Sequence, residues 1–189
     1  SNSSAASDVY KRQELLRKIL YRNPDSLQVM KNLAVLLQTT GRSAEATELY
    51  RRILTIQSDD VIAINNLAWI LCEEQGQYQQ ALQLVRQGLQ KAPDYVDLID
   101  TRGVIYYRLG EYDKAVQDFN RCINLYPARA PSVVASYFHL GRALISLGQR
   151  DEAVESLKKT LDLNNEIGNL SAGDFTEAQM LLEELSQGV

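Results

Sequence analysis

The sequence predicts an all-α fold of antiparallel helix pairs, and three regularities along the chain support this prediction. Small residues recur at a nearly constant interval, and they are Ala34, Ala68, Gly103 and Gly141. A second series follows the first at a nearly constant offset and contains Ala46, Ala81, Ala115 and Ala153. A glycine separates the two series in every pair, at Gly41, Gly76, Gly110 and Gly148. Small side chains at fixed places indicate close helix contacts, and the glycines indicate the turns between helices.

The N-terminal residues predict a linker followed by a helix. Residues 1–7 are small and polar, which favours a disordered linker or a cloning remnant rather than a signal peptide. Residues 8–23 predict an amphipathic helix whose buried side carries Leu15, Leu16, Ile19 and Leu20. Two interpretations of this helix remain open. It is either half of a helix pair at the start of a longer array or an unrelated capping helix.

The marker residues divide the middle of the chain into four repeats, at 27–60, 61–95, 96–129 and 130–165. The offset between the two series is one residue longer in repeat 2, and this extra residue is expected in the turn at 73–76. The four extra residues before Gly141 predict a first helix that is one turn longer and begins near Pro131, a favoured first helical residue.

The C-terminal residues predict a loop and a capping helix. Residues 164–173 are rich in Asn and Gly, and a helix is expected at 174–186. Asp174 and Glu177 resemble a capping box at its start. A polar outer face suits the last helix of an array, so we expect this helix to be the end of one. The acidic residues assigned to that face are Glu177, Glu183 and Glu184.

Composition restricts the classes of function. The 189 residues are 45% hydrophobic and 23% charged, with a net charge of -4. This balance favours a folded soluble chain and argues against a nucleic-acid partner, which usually needs a clustered basic face. No apolar run approaches the roughly 18 residues that membrane insertion requires. Cys72 and Cys122 lack the spacing of a disulfide framework or a metal site. The compartment remains open, with a leaning towards the cytoplasm.

The stretch 96–127 identifies the repeat. It resembles the tetratricopeptide repeat family, whose pattern has a period of about 34 residues. The matching residues are Gly103, Tyr106, Gly110, Tyr112, Ala115, Phe119 and Pro127. The resemblance implies a right-handed α-α superhelix of about four repeats with flanking helices. It also implies a scaffold for protein–protein interaction. Arg102 departs from the pattern because leucine is usual at its place.

The resemblance further implies that the first helix of each repeat lines a concave groove that binds a partner peptide. Asn32 and Asn66 lie one repeat apart, and their amides could pair with a peptide backbone. Aromatic residues on the same faces could act as anchors for a peptide of mixed charge. The alternative is a purely structural lining. The candidate groove residues are Lys31, Asn32, Asn65, Asn66, Trp69, Asp97, Asp100, Tyr107, Arg108, Phe138, His139 and Arg142.

One known function of the family can be compared with this sequence residue by residue. Some members clamp the C-terminal carboxylate of heat-shock chaperones with five polar residues. Lys31 and Asn66 match that pattern, whereas Val35, Asp97 and Thr101 do not. The pattern therefore argues against binding of a chaperone tail, and the identity of the protein partner stays open.

Catalysis is not expected of this chain. His139 is its one histidine, and no phosphate loop, nucleophile motif or metal-ligand cluster is present. We therefore expect a non-catalytic protein without cofactor or metal. The alternatives are an architectural or self-associating segment of a longer array, or a regulatory arm of an enzyme whose catalytic domain lies outside this chain. Residues 1–26 carry a charge of +2 and residues 134–189 carry -5, which suggests weak head-to-tail self-association.

Overall fold

A computed structural model describes residues 2–127 and 130–187, with side chains from residue 7 onwards. Every element in this part of the chain is helical, which confirms the all-α prediction. The helices are α1 (Asn2–Arg22), α2 (Leu27–Thr39), α3 (Ser43–Ile56), α4 (Val61–Trp69), α5 (Tyr78–Lys91), α6 (Val96–Arg108), α7 (Tyr112–Leu125), α8 (Pro131–Ser146), α9 (Arg150–Ile167) and α10 (Ala172–Gln187). A π-helical turn, Ile70–Glu74, continues α4.

The chain forms two compact bodies. The N-terminal body comprises residues 1–91, with α1 to α5, and the C-terminal body comprises residues 92–189, with α6 to α10. Among the described residues, no helix combines the length and the apolar character that a membrane span requires.

Both series of small residues lie in the core. All four alanines of the second series are 0% exposed, and they are Ala46, Ala81, Ala115 and Ala153. A Cβ atom added to Gly103 would lie 2.7 Å from the Phe119 ring, and one added to Gly141 would lie 2.9 Å from Leu157. These distances are shorter than any ordinary carbon contact, so the two helices of a repeat approach this closely only with a small residue at that place.

The extra residue of repeat 2 is absorbed in the π-helical turn Ile70–Glu74, which overlaps the predicted turn at 73–76 in its last two residues. In repeat 3 the Glu111 N–H donates to the Tyr106 carbonyl at 2.9 Å and closes the helix around Gly110. The corresponding bond in repeat 2 joins the Gln77 N–H to the Leu71 carbonyl at 2.7 Å, across one more residue. A π-helical turn accommodates the insertion and keeps the buried side chains of that turn in the core.

Helix α1 differs from the sequence prediction in its start and in its buried side. It begins at Asn2, so residues 2–7 are helical rather than a linker, while Ser1 lies outside the described residues. No glycine or proline interrupts this stretch, and a helix gains one hydrogen bond for each residue added. The predicted buried side is also wrong in part, because Leu15 is 58% and Ile19 is 36% exposed. Gln13 is the residue buried against α2.

Helix α8 is longer than the other first helices. It begins at Pro131, as expected, and contains 16 residues where α2 and α6 contain 13. The predicted end of repeat 3 at Arg129 lies outside the described residues. Helix α9 continues to Ile167, so the loop starts later than the predicted residue 164, at Gly168 with a φ of +80°.

Helix α10 begins earlier than predicted, and a different residue caps its N-terminus. The Asp174 N–H donates to Ser171 Oγ at 3.0 Å, and Ser171 Oγ donates to the Asp174 carboxylate at 2.7 Å. Ser171 therefore holds the capping place that we assigned to Asp174. Glu177 is also not confined to the outer face, because its carboxylate lies 3.2 Å from the Arg142 guanidinium.

Candidate functional site

The twelve candidate groove residues lie on the first helices of the four repeats and divide between the two bodies. The N-terminal body holds Lys31, Asn32, Asn65, Asn66 and Trp69. The C-terminal body holds Asp97, Asp100, Tyr107, Arg108, Phe138, His139 and Arg142. The side chains of the two sets have different surroundings, so each set has to be considered within its own body.

A chain of hydrogen bonds orients Asn66 in the N-terminal body. Asn66 Nδ2 donates to the Tyr50 hydroxyl at 3.0 Å, and that hydroxyl donates to Gln38 Oε1 at 2.9 Å. Tyr50 is 1% exposed, and burial raises the pKa of its hydroxyl to about 12, against the effect of the Asn66 hydrogen bond. The hydroxyl therefore remains protonated at neutral pH and fixes the direction of the half-buried Asn66 amide.

Two exposed apolar residues accompany these amides. Val35 is 43% exposed and lies one helical turn after Asn32 on α2. Ile62 is 49% exposed and lies one turn before Asn66 on α4, on the face that also carries the half-buried Trp69. Neither Val35 nor Ile62 was among the twelve candidates. Both occupy places that the resemblance assigns to the groove, and their branched apolar side chains were the signal in the sequence that could have identified them.

Lys31, the cation predicted for this surface, forms an ion pair within the protein. The Lys31 ammonium forms an ion pair with Asp60, which is 5% exposed. The other oxygen of Asp60 accepts a hydrogen bond from the Ala63 N–H at 2.9 Å and caps α4. Moving Lys31 to a ligand would leave a buried carboxylate without its cation, which costs several kcal/mol in typical cases. The prediction of Lys31 as a ligand-binding cation therefore needs correction.

The acidic candidates of the C-terminal body accept hydrogen bonds from neutral hydroxyls. Asp97 accepts from the Tyr126 hydroxyl at 2.8 Å, and Asp100 accepts from Ser136 Oγ at 2.7 Å. Burial raises the pKa of Asp100, and the neighbouring His139 opposes this rise. Burial also raises the pKa of Tyr126, with a further contribution from Asp97. Asp100 thus takes part in a part-buried contact between α6 and α8, whereas Asp97 is exposed and contacts Tyr126, the residue that follows α7.

Phe138 is a core residue and cannot anchor a peptide in this structure. It is 1% exposed and packs with Leu157 of α9 and Ala178 of α10. His139 beside it stacks on Phe119, with ring centroids 5.5 Å apart. The repeat pattern places Phe138 on the groove side of α8, and α10 then covers that part of the helix.

Arg142 is also occupied by groups of its own body. In addition to its ion pair with Glu177, its guanidinium lies 4.9 Å from the Tyr107 ring centroid and 5.5 Å from that of Phe138. These distances permit cation–π interaction with both rings. Tyr107 is half-buried and also packs against Tyr112, with ring centroids 5.5 Å apart. Arg108 is exposed on the same helix as Tyr107.

An ion pair explains the unusual Arg102. Its Nε and Nη2 atoms donate to the two carboxylate oxygens of Asp118 at 2.7 and 2.6 Å. Asp118 is 5% exposed, and its hydrogen bonds and charge raise the pKa of Arg102. Leu33 and Leu49 hold the corresponding places in repeat 1, so repeat 3 replaces an apolar pair by an ionic pair. The sequence could have indicated this ion pair, because Asp118 replaces a leucine on the second helix of the same repeat.

Two clefts, one in each body, lie away from the candidate groove residues. A cleft of 690 Å³ lies among α7, α8 and α9, and another of 530 Å³ lies among α1, α2 and α3. None of the twelve candidates lines either cleft. Across residues 2–127 and 130–187, no cluster of His, Cys, Asp or Glu has an arrangement suited to a metal ion. Cys72 and Cys122 are both buried, and burial raises the pKa of the Cys122 thiol.

Curated relatives share sequence with only part of this chain. Tetratricopeptide repeat protein 12 from Homo sapiens is 28% identical over 115 residues, which are 58% of this chain and 16% of the relative. Heat shock protein STI1 from Saccharomyces cerevisiae is 32% identical over 89 residues, which are 46% of this chain and 14% of the relative. The chain thus matches less than a fifth of the length of these relatives.

Solved structures share the fold over most of the chain. TTC0263, a tetratricopeptide repeat protein from Thermus thermophilus, has a TM-score of 0.71 and 21% identity and covers 96% of this chain and 94% of its own. PilW, a type IV pilus biogenesis factor, has a TM-score of 0.75 and 18% identity and covers 97% of this chain and 86% of its own. At such identities the similarity establishes the fold alone.

Family models match the repeats directly. Four models, each described as a tetratricopeptide repeat, match residues 26–57, 49–83, 69–136 and 134–167. Proteins of this family and fold are generally non-catalytic scaffolds, and the match supports protein–protein interaction as the general function. The chain belongs to the tetratricopeptide repeat family.

Proposed function

We propose that the chain is a non-catalytic scaffold that binds an extended segment of a partner protein on the first helices of its N-terminal body. The binding surface, called the α2–α4 surface, consists of Asn32, Val35, Ile62, Asn65, Asn66 and Trp69. The observation that carries this proposal is the exposure of Val35 and Ile62, at 43% and 49%, beside an amide held in one orientation.

The chemistry of the surface suits a peptide backbone with apolar side chains. An asparagine amide offers both a donor and an acceptor, as does each peptide unit of an extended ligand. The hydrogen bond to Tyr50 orients Asn66 before binding, so less side-chain freedom is lost when a ligand binds. Trp69, Val35 and Ile62 supply apolar area, and aromatic residues dominate the energetics of many interfaces.

The predicted cations are engaged within the protein, which favours an uncharged ligand segment. Lys31 is engaged by Asp60, and in the C-terminal body Arg142 is engaged by Glu177. We therefore replace the mixed-charge peptide expected from the sequence by an apolar and uncharged one. The same observation argues against a carboxylate clamp for chaperone tails, since Lys31 would have to leave Asp60.

Selection from a random dodecapeptide phage library, followed by calorimetry on the enriched peptides, tests this proposal. We expect the double variant Asn66→Ala/Trp69→Ala to bind the peptides at least about tenfold more weakly, because hot-spot truncations cost about 2 kcal/mol or more. The control Tyr21→Ala/Asn120→Ala removes one ring and one amide from exposed places elsewhere and should bind like the wild type.

The result also separates the alternative functions. Equal affinity of the wild type and the Asn66/Trp69 double variant would reject the α2–α4 surface. Failure to enrich any peptide would also count against it, and would favour an architectural segment of a longer array or a regulatory arm of an enzyme whose catalytic domain lies outside this chain.

A further inference from the structure

The two clefts of the protein occupy matching places in the repeat. One lies among α7, α8 and α9 of the C-terminal body and is called the α7–α9 cleft. The other lies among α1, α2 and α3 of the N-terminal body and is called the α1–α3 cleft. Helix α1 holds the place of a second helix, because Pro24 follows Arg12 at the same distance at which Pro127 follows Ala115. The two clefts can therefore be compared residue by residue.

Both clefts have an apolar floor made by a first helix. Leu140 and Leu144 of α8 form the floor of the α7–α9 cleft, and two leucines of α2 hold the same places in the α1–α3 cleft. The walls differ, because Ser156 of α9 stands where α3 has Leu49. A serine occupies less space than a leucine, which agrees with volumes of 690 Å³ for the α7–α9 cleft and 530 Å³ for the α1–α3 cleft.

Ion pairs engage the charged residues that line the α1–α3 cleft. Arg17 of α1 donates to the Glu45 carboxylate of α3 at 2.7 Å, across the cleft. Arg52 of α3 lies 3.3 Å from the carboxylate of Asp25, which follows α1. The protein itself thus supplies a cation for one place on α3 and an anion for another, and both pairs connect the two walls.

The α7–α9 cleft lacks the first of these connections. Glu152 of α9 holds the place of Glu45, and both carboxylates line their clefts. Asn120 of α7 lines the cleft at the place of Arg17. An asparagine has no charge, so it does not replace the arginine as a cation for the carboxylate across the cleft.

The second connection is also missing. Lys159 of α9 lines the cleft at the place of Arg52, while the sequence has Ala128 at the place of Asp25. Among the residues whose side chains the structure describes, neither Glu152 nor Lys159 takes part in an ion pair. The cleft therefore presents one carboxylate and one ammonium group at places where the other body provides their partners.

We propose that the α7–α9 cleft binds an amphipathic helix of a partner protein that has an apolar pair between one basic and one acidic residue. The apolar pair would lie on Leu140 and Leu144, as helices commonly enter apolar grooves. The base would take the place of Arg17 opposite Glu152, and the acid would pair with Lys159. The last two residues are seven positions apart on α9, about 10 Å along the axis, so the partner needs the same spacing.

The order of the charges matters more than their sum. The same wall also carries Glu155, Lys158 and Asp162, and the opposite wall contributes Val116 and the uncharged amide of α7. Both signs are present, so a helix with bases alone or acids alone would meet repulsion in part of the cleft. Exposed ion pairs each change affinity only about two- to fivefold, so the apolar contact supplies most of the affinity and the charges select the partner.

Selection from a phage library of helical peptides, with the whole chain as the target, tests this proposal. The library fixes an adjacent pair of leucines and randomises the flanking positions. Enriched peptides should carry a base and an acid seven residues apart around the leucine pair, and calorimetry then measures their affinity. The affinity should fall as the salt concentration rises, because the screening length shortens.

One substitution should close the cleft with a group of the protein's own. Asn120→Arg restores the cation of the α1–α3 cleft at an exposed position, so the enriched peptides should bind this variant at least about fivefold more weakly. The control Asn165→Arg makes the same replacement at an exposed position of α9 outside the cleft and should bind like the wild type. Circular dichroism should show equal helix content in both variants.

A second comparison tests the individual charge pair. Replacing the base of an enriched peptide by glutamine should weaken binding to the wild type about two- to fivefold and have no effect on binding to Glu152→Gln. Three results would overturn the proposal: no enriched helix, enriched helices without the paired charges, or equal affinity for the wild type and Asn120→Arg. The proposal is independent of the α2–α4 surface, so Asn66→Ala/Trp69→Ala should bind these helices like the wild type.

Discussion

The N-terminal and C-terminal bodies consist of the same kind of helix pairs but differ in the surroundings of their candidate groove residues. In the N-terminal body, Val35 and Ile62 are 43% and 49% exposed, and Asn66 is oriented by a neighbouring hydroxyl. In the C-terminal body, Phe138 is 1% exposed and Arg142 pairs with Glu177. Val35 and Arg142 hold the same place in the repeat, and that place is exposed in repeat 1 but engaged by Glu177 in repeat 4.

The difference shows that the repeat register determines the side of a helix on which a residue lies, but not whether that side is covered. Helix α10 covers part of α8 in the C-terminal body and brings Ala178 and Glu177 against it. In the N-terminal body, the flanking helix α1 packs in the place of a second helix, and the faces of α2 and α4 retain exposed apolar residues.

The largest expected effect distinguishes the aromatic residues of the two bodies. Phe138→Ala should lower the free energy of unfolding by about 3–5 kcal/mol, because it leaves a cavity in the core beneath α10. Trp69→Ala should cost clearly less, since Trp69 is only half-buried. Urea unfolding followed by circular dichroism measures both. Equal losses would contradict the assignment of one residue to the core and the other to a surface.

The next effect concerns the ionic pair that replaces leucines in repeat 3. Arg102→Leu should destabilise the chain by about 3 kcal/mol, because it leaves the Asp118 carboxylate buried without its cation. The double variant Arg102→Leu/Asp118→Leu recreates the pairing of Leu33 and Leu49 and should recover most of the loss. Its unfolding midpoint in urea, compared with that of the single variant, provides the check. A double variant as unstable as the single one would mean that the apolar pair does not fit in repeat 3.

A smaller effect should be the same in both bodies. Ala115→Leu and Ala46→Leu each add a large side chain at a position that is 0% exposed and should cost about 1–3 kcal/mol. Thermal and urea unfolding of the two variants measure the loss. An unchanged unfolding midpoint for either variant would contradict the placement of that alanine between the two helices of its repeat.

The smallest effect depends on pH and concerns the C-terminal body. Burial raises the pKa of Asp100, so the folded state binds the proton more tightly than the unfolded state, whose pKa is about 3.9. The stability of the wild type therefore falls as pH rises from that value through the folded pKa. The Asp100→Asn variant lacks this dependence on pH. Its stability relative to the wild type should therefore be highest at neutral pH. Urea midpoints of both proteins between about pH 4 and 7 test this, and a constant difference would contradict it.

Prediction from the sequence succeeded where a position has a steric requirement. Gly103 and Gly141 were identified by spacing, and added Cβ atoms there would lie 2.7 Å from Phe119 and 2.9 Å from Leu157. It failed where burial depends on a distant helix, as for Phe138 under α10 and Leu15 on α1. The extra residue of repeat 2 was assigned to 73–76, and the π-helical turn Ile70–Glu74 overlaps that range in only two residues, because an insertion can be absorbed within a helix as well as after it.

The sequence by itself determined the helix pairs and the family, because small residues and glycines at a fixed period can be satisfied by very few backbones. Only the tertiary structure decided which polar and aromatic side chains remain at the surface. Lys31 with Asp60, Arg142 with Glu177, and Arg102 with Asp118 are contacts between different elements of the chain. Such pairings depend on how helices pack side by side, and a one-dimensional pattern contains no direct record of that packing.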